Sequence, residues 1–220
     1  MHRLMLTSST YRMASTPNEA SARNDPDNVF LWRMNSRRLE AEVVRDNLLF
    51  VAGNLDLTMG GPEIDHKLGL TSKRRSLYLR IAAEKEVEFL KIFDGPSVTE
   101  CYERKPSVVP QQALALANSE LALAQARILA ARVSEKNGES DAKFIAQSFQ
   151  QVLARRPTRE EMRLCTDFLD RQRASAETQA KATPISLKAG TNKPSSDQAQ
   201  RARENLMLVL VNHNDFVTAR

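Results

Sequence analysis

The sequence is poor in glycine and in aromatic residues. Only seven of its 220 residues are glycine, and 5% are aromatic. Sheet-rich folds with many tight turns need more glycine, because glycine adopts backbone angles that are closed to other residues. We therefore expect a core built from leucine, alanine and valine on helices. The predicted fold is mainly α, one multi-helical domain over residues 1–220 with at most a short strand or hairpin near 75–81.

Cysteine is also scarce, with Cys101 and Cys165 as its two occurrences. Neither belongs to a CxxC or CxxCH pattern, so this chain encodes neither a zinc knuckle nor a site for covalent haem attachment. We expect two buried thiols, with a single disulfide as the alternative. The three histidines are scattered and lack a second ligand at helical spacing. We therefore predict no metal site and no cofactor in this chain.

Long apolar runs and concentrated charge are missing as well. No window is long or apolar enough to span a membrane, and the start, MHRLMLTSSTYRM, is interrupted by Thr and Ser too early for an export signal. The net charge is +5, but 27 acidic residues are interleaved with 32 basic ones. Nucleic-acid binding is therefore the weakest of the functions we consider.

The strongest pattern present is a helix signal over residues 37–52. Ser36 is the expected N-cap, and Gly53 stands where a left-handed residue ends many helices. A helical wheel places Leu39, Val43, Asp46 and Phe50 on one face, and most other positions are apolar too. A helix that is apolar on most sides is usually buried.

A narrow polar stripe of Arg38, Glu42 and Arg45 interrupts this helix, and Asp46 lies at its edge. Glu42 and Asp46 repel each other unless cations are near, so we predict that arginines hold both carboxylates. Arg45 can serve one, and a distant arginine such as Arg33, Arg75 or Arg104 can serve the other. The candidate polar cluster comprises Arg38, Glu42, Arg45, Asp46, Asp94 and Arg104.

This cluster has two interpretations. The one we favour is a structural ion network that locks a buried helix. The alternative is a paired-carboxylate acid/base site of a hydrolase acting on polysaccharide, with Glu42, Asp46, Asp94 and Glu100 as candidates. The sequence does not single out a catalytic residue among these candidates.

Further helices are predicted along the chain. The first spans 2–14 with Leu4, Met5 and Tyr11 inward, and a polar loop follows at 15–30. A Thr158–Glu161 capping box opens a helix that ends near 174, and a flexible insertion covers 175–196. The other predicted helices are 84–93, 110–134 with a break at Asn118–Ser119, 141–154 and 197–211.

Several segments together resemble one known family. They are SSTYR at 8–12, DPDNVFLWRMNSRRLEAEVVRDNLL at 25–49, GNLDLTMGGP at 53–62, RRSLYL at 74–79, FDGPSVTECYERKPSVVPQQALALANS at 93–119, RRPTREE at 155–161 and LVNHNDF at 210–216. Their order and spacing are similar to the C-terminal domain of unknown function of planctomycete-type cytochrome c proteins, family fifteen-fifty-three among such domains. The resemblance covers nearly the whole chain.

The resemblance implies a context rather than an activity. Such proteins carry an export signal, a haem-binding region and further domains upstream, so haem is expected only there and the parent is expected in the periplasm or cell envelope. The family domain starts earlier than this chain, so we expect Met1 to be an internal methionine of an N-terminally truncated copy. The implied function is a structural or interaction module whose partners are the upstream domains of the same parent.

Overall fold

A computed structural model describes residues 1–83, 85–98, 104, 107–138, 140–179 and 193–219. The backbone contacts divide the chain into two compact units. The N-terminal unit comprises Met1–Leu39 and Val217–Arg220, and the helical unit comprises Glu40–Phe216. The predicted mainly α class is confirmed, since helices dominate the described residues and the paired strands are two residues long.

The N-terminal unit contains two short helices and a small sheet. Helix α1 is His2–Thr7 and α2 is Glu19–Asn24. Strand β1, Arg37–Arg38, pairs antiparallel with β2, Thr218–Ala219, so that Arg37 lies opposite Ala219. This ladder joins two segments of the unit that lie about 180 positions apart in sequence.

Several predictions for this unit are wrong. The first helix ends at Thr7 instead of continuing to 14, because Ser8 is extended and its hydroxyl donates to the Met5 carbonyl at 2.7 Å. A serine that hydrogen-bonds nearby backbone in this way competes with the helix. Leu4, Met5 and Tyr11, which were predicted to point inward, are exposed.

The stretch predicted as a polar loop at 15–30 contains α2. The Asn18 side chain caps it by accepting from the Ser21 amide at 3.1 Å. The N-cap predicted at Ser36 is also wrong, since the next two residues form β1 and the helix starts later. Pairing with a distant strand has overridden the local helix signal.

The helical unit is built from seven α-helices in its described residues. Helix α6 contacts α3, α5, α7 and α9, and α8 packs against α7 and α9. Their bounds are α3 Ala41–Val51, α4 Glu88–Ile92, α5 Pro110–Asn118, α6 Glu120–Asn137, α7 Asp141–Leu153, α8 Arg159–Gln179 and α9 Gln198–Val211.

Most helix boundaries of this unit follow from local chemistry, as predicted. Pro110 is the first residue of α5, and Ser119 caps α6 by accepting from the Ala122 amide at 3.2 Å. Thr158 and Glu161 form the predicted capping box, with reciprocal bonds of 2.7 and 3.2 Å. These side chains satisfy amides that have no partner within the helix.

The sequence predicts at most a short strand at 75–81, and the structure forms only an isolated bridge there, at Leu79. Ser76–Tyr78 forms a 3-10 helix, and single bridges join Arg74 to Asp56 and Leu79 to Ile64. Two further 3-10 helices span His66–Leu68 and Asn214–Val217.

Two predictions fall partly on residues that the structure does not describe, the insertion at 175–196 and the two buried thiols. In the predicted insertion at 175–196, α8 extends through 179 and 193–195 have no regular structure, while 180–192 lie outside the described residues. Cys165 is a free, half-buried thiol on α8, and burial raises its pKa. Cys101 and Glu100 lie outside the described residues.

Candidate functional site

The side chain at the centre of the predicted polar cluster is Arg45, which is 0% exposed. Helix α3 turns it away from solvent and toward the segment that follows the His66–Leu68 turn. Burial lowers the pKa of its guanidinium below the ordinary value, and the neighbouring Asp46 carboxylate offsets only part of this effect. The guanidinium donates to the carbonyls of Gly69 at 2.6 Å, Ser72 at 2.6 Å and Arg74 at 3.0 Å, and to the side chains of Ser76 at 3.2 Å and Asp46 at 3.3 Å.

Asp46 completes this buried group. Its Oδ1 accepts from the Ser76 amide at 2.8 Å and from the Ser76 hydroxyl at 2.6 Å, besides the bond from Arg45. A charged acceptor makes such hydrogen bonds shorter and stronger. Asp46 and Arg45 therefore fix the 3-10 turn at 76–78 against α3.

Glu42 belongs to a second group. Both of its carboxylate oxygens accept from the guanidinium of Arg104, at 2.7 and 2.9 Å. Glu40 lies 3.6 Å from the same guanidinium. Arginine forms such two-pronged pairs because its planar fork matches a carboxylate. The pair joins the first turn of α3 to a residue 62 positions later in the chain.

Asp94 belongs to a third group, after the end of α4. It has a left-handed backbone with φ 59°. Its carboxylate accepts from the Ser107 amide at 2.6 Å and the Ser107 hydroxyl at 2.7 Å, and the buried Gln112 lies 3.4 Å away. The same Gln112 amide donates to the Ile92 carbonyl at 3.1 Å. Asp94 thus holds the chain leading into α5.

The six residues of the predicted cluster are therefore distributed over separate bonded groups. Arg45 lies with Asp46, Glu42 pairs with Arg104, and Asp94 binds Ser107. Arg38 lies in β1, in the N-terminal unit.

This arrangement favours a structural role for the carboxylates over a role in acid/base catalysis. Glu42 and Asp94 each accept hydrogen bonds on both oxygens, and Asp46 accepts three on one. A general acid must release a proton to its substrate, and a general base needs a free lone pair in an open cleft. No observation on these three carboxylates therefore supports the hydrolase alternative. Within the described ranges, no group of three His, Cys, Asp or Glu side chains could hold a metal ion.

Sequence reasoning missed a rigid loop in the N-terminal unit. The carboxylate of buried Asp25 accepts from the amides of Val29 at 2.9 Å and Phe30 at 2.8 Å, and its carbonyl accepts from the Trp32 indole at 2.9 Å. Leu31 has φ 54°, a conformation that costs a bulky residue about 1–3 kcal/mol. An Asp-Pro-Asp-Asn sequence such as 25–28 is typical of a turn, but it does not indicate which side chains the turn exposes.

This loop presents its apolar side chains to solvent. Phe30 is 84% exposed, and its neighbours Val29 and Leu31 are exposed as well. The buried Asn28 side chain braces the loop by donating to the Arg33 carbonyl at 2.9 Å and to the Asn35 side chain at 2.8 Å. The exposed residues are therefore held on a fixed frame.

An apolar groove lies in the same unit. It has a volume of about 510 Å³, and its lining is α1, the turn after it and Met34. The lining residues are His2, Met5, Leu6, Ser8, Thr10, Tyr11 and Met34. The backbone amide of Met34 donates to the Ala14 carbonyl at 3.0 Å, which ties the groove to the end of the exposed loop.

Comparisons with known proteins bear on the family and not on the activity. A family model described as "Protein of unknown function (DUF1553)" matches residues 1–169. No curated protein matches the chain, and no solved structure matches it. Among the described helices, none is long and apolar enough to cross a membrane.

Proposed function

The chain belongs to the family of proteins of unknown function DUF1553, and we propose that it acts as an interaction module of a longer, exported cytochrome c-type protein. Its partners are the upstream domains of that parent. The observation that carries the proposal is the exposed apolar surface of the N-terminal unit, formed by the Val29–Leu31 loop and the groove beside α1. We call it the docking surface.

The docking surface has the make-up of a contact site. Eight of its large side chains are exposed, namely Met1, Leu4, Met5, Leu6, Tyr11, Val29, Phe30 and Leu31. Exposed apolar patches beyond a few hundred Å² usually mark interaction sites. Scattered surface leucines carry no such meaning, but these residues fall in two short segments, 1–11 and 29–31.

The composition of residues 1–39 supports a protein partner. The segment holds six arginines and no lysine, and four of the seven methionines of the chain. Protein interfaces are enriched in Arg, Met and aromatic residues and depleted in Lys. Phe30 has the character of an anchor, because it is a large apolar group already held in one loop conformation, so little conformational freedom is lost on docking.

The test uses the isolated chain and a covalent extension. The chain alone is expected to bind the fluorescent dye 1-anilinonaphthalene-8-sulfonate and to self-associate in size-exclusion chromatography. Leu6→Ser with Phe30→Ser should lower both signals. Leu164→Ser with Val209→Ser, which alters exposed apolar residues of the helical unit, is the matched control and should lower neither.

Fusion of the preceding segment from a full-length relative is the second arm. That fusion should suppress dye binding as strongly as the double serine variant does. A monodisperse chain that binds no dye and melts in one sharp transition would contradict the proposal.

A further inference from the structure

The loop at residues 56–62, in the helical unit, carries apolar side chains on a braced backbone. Leu57 and Met59 are exposed, Met59 to 88%, and Leu77 in the neighbouring 3-10 helix is exposed as well. We call these three residues the apolar tip. They are separate in sequence from the docking surface, and they belong to the other compact unit.

Arg74 and Tyr78 hold the loop in place. The Arg74 guanidinium stacks 3.9 Å from the centre of the Tyr78 ring and donates to the carbonyls of Thr58, at 3.1 Å, and Gly60. The Gly60 amide donates to the Tyr78 hydroxyl at 2.9 Å. Gly60 has φ 78°, a backbone conformation that other residues avoid. These two polar side chains are thus engaged in bracing the loop, while leucine and methionine face water.

Basic residues flank the tip. The Asp56 amide donates to the Lys73 carbonyl at 2.8 Å, and Asp56 forms a parallel bridge with Arg74. Leu57 and Arg75 are the residues that follow this bridge on its two segments. Lys73 and Arg75 are exposed, and among the described residues neither has a carboxylate partner. Nearby Glu63 is paired with Arg80 at 3.1 Å. The Asp56 carboxylate is offset by the nearby Arg74 guanidinium, so the charge left unbalanced around the tip is positive.

We propose that the apolar tip and its basic flank form a peripheral membrane-binding site for anionic phospholipid surfaces. Aliphatic and thioether side chains enter the region between headgroups and acyl chains, and Lys73 and Arg75 face the phosphates. One weak apolar insertion gives only marginal attachment, and a basic patch beside it supplies the second signal that stable binding needs.

A protein partner fits this site less well. Protein contact sites concentrate binding energy in exposed Trp, Tyr and Arg, and they are depleted in lysine. Here the aromatic residue Tyr78 is engaged in bracing the loop. Met59 and Arg75 also occur in protein interfaces, but they stand beside two leucines and a lysine, which such interfaces use little. A fixed apolar point flanked by cations matches a fluid anionic surface, which needs no shape complementarity.

The test is sedimentation of the intact chain with lipid vesicles. Binding is expected to vesicles of phosphatidylcholine mixed with phosphatidylglycerol, and to fall strongly with phosphatidylcholine alone or at high salt. Removing one cation, as in Lys73→Gln or Arg75→Gln, should raise the half-binding lipid concentration about fivefold. Leu57→Ser with Met59→Ser should weaken binding at least as much. Both side chains are exposed, so we expect the double variant to fold normally.

Two control variants test whether binding depends on this particular site. Lys143→Gln and Arg171→Gln, at exposed positions on α7 and α8, should change the half-binding concentration little. Leu6→Ser with Phe30→Ser should leave vesicle binding intact, which distinguishes this site from the docking surface. Inorganic phosphate should compete no better than chloride of equal ionic strength, because an isolated anion engages only the basic flank.

The outcomes are decisive in both directions. Vesicle binding that survives the Leu57 and Met59 substitutions, or that vanishes only with Leu6 and Phe30, would overturn the proposal. So would equal binding to neutral and anionic vesicles.

Discussion

The Arg45 guanidinium donates to the carbonyl oxygen of Gly69 across 2.6 Å, although the two residues are 24 positions apart in sequence. This bond joins α3 to a segment that has little regular structure of its own. The approach at Gly69 is close, because a Cβ there would lie 2.6 Å from a methyl carbon of Val87. A buried cation that binds several carbonyls replaces the hydrogen bonds that a strand would have given them.

Arg45→Met should therefore destabilise the fold strongly. Methionine keeps much of the apolar volume but removes the donor from the buried carbonyl of Gly69 and from the partly buried carbonyls of Ser72 and Arg74. We expect a loss of about 3–5 kcal/mol in the free energy of unfolding, measured in urea. The exposed Arg171→Met is the control and should change stability by less than about 0.5 kcal/mol. A loss at Arg45 as small as that of the control would show that water replaces the guanidinium.

Asp46→Ala should cost nearly as much, about 3 kcal/mol, because it removes the acceptor of both Ser76 bonds and leaves Arg45 without its carboxylate. Ser76→Ala should cost less, since Arg45 and Asp46 still bind each other. The two changes share partners, so their effects should not add. A double-mutant cycle is expected to give a coupling energy of about 1–2 kcal/mol, and strict additivity would contradict the shared network.

The features predicted correctly from sequence depend on neighbours in the chain. Ser119 caps the helix that starts one residue later, and Thr158 and Glu161 bind each other across three positions. The pairing of Asp46 with Arg45 is also local. Arg104 was one of three distant arginines that could serve Glu42, and choosing it required the structure.

The features that were missed depend on distant parts of the chain. The wheel placed Val43 and Phe50 on a buried face of α3, but both are exposed and Arg45 is buried instead. Periodicity ranks an arginine as a surface residue, because it cannot include carbonyls that lie 24 to 29 positions away. Ser36 failed as an N-cap for the same reason, since β2 reaches β1 from the far end of the chain.

Gly53→Ala should be more damaging than the same change at Gly60. Both glycines have a positive φ, 70° and 78°, so alanine introduces about 1 kcal/mol of backbone strain at either site. At Gly53 the new Cβ would also collide with the Arg132 guanidinium, which donates to the Ala52 carbonyl at the end of α3. At Gly60 nothing lies within 4 Å of the added Cβ.

Thermal unfolding of the two glycine variants provides the measurement. Gly53→Ala is expected to lower the stability by about 1 kcal/mol more than Gly60→Ala, because the lost Arg132 bond adds to the strain. Restoring space with Arg132→Ala in the Gly53→Ala background should recover little, since the carbonyl then lacks its donor. Equal melting temperatures for the two glycine variants would show that Arg132 moves aside freely.

The acid limb of the stability profile should depend on Glu161. Its carboxylate accepts from Arg155 at 2.7 and 2.9 Å, and Arg155 also binds the buried Asp215 at 2.9 Å. The Arg155 hydrogen bonds, with help from Thr158 and against the effect of burial, lower the pKa of Glu161 from 4.5 to about 2. The folded-state pKa lies below the unfolded one, so this stabilisation is fully present above about pH 4.5 and is lost as the pH falls toward 2.

Glu161→Gln should therefore flatten the fall in stability between pH 4.5 and 2. We expect a loss of about 1–2 kcal/mol at pH 7, below the full value of the pKa shift because solvent screens the partly exposed pair, and little difference from the parent near pH 2. Glu160→Gln is the matched control, because Glu160 pairs with Arg163 at 2.5 Å at an exposed position of the same helix, where solvent screens the pair more strongly. Urea unfolding at several pH values gives both curves. If the Glu161→Gln curve runs parallel to that of the parent down to pH 2, the Arg155 pair does not contribute the predicted pH dependence.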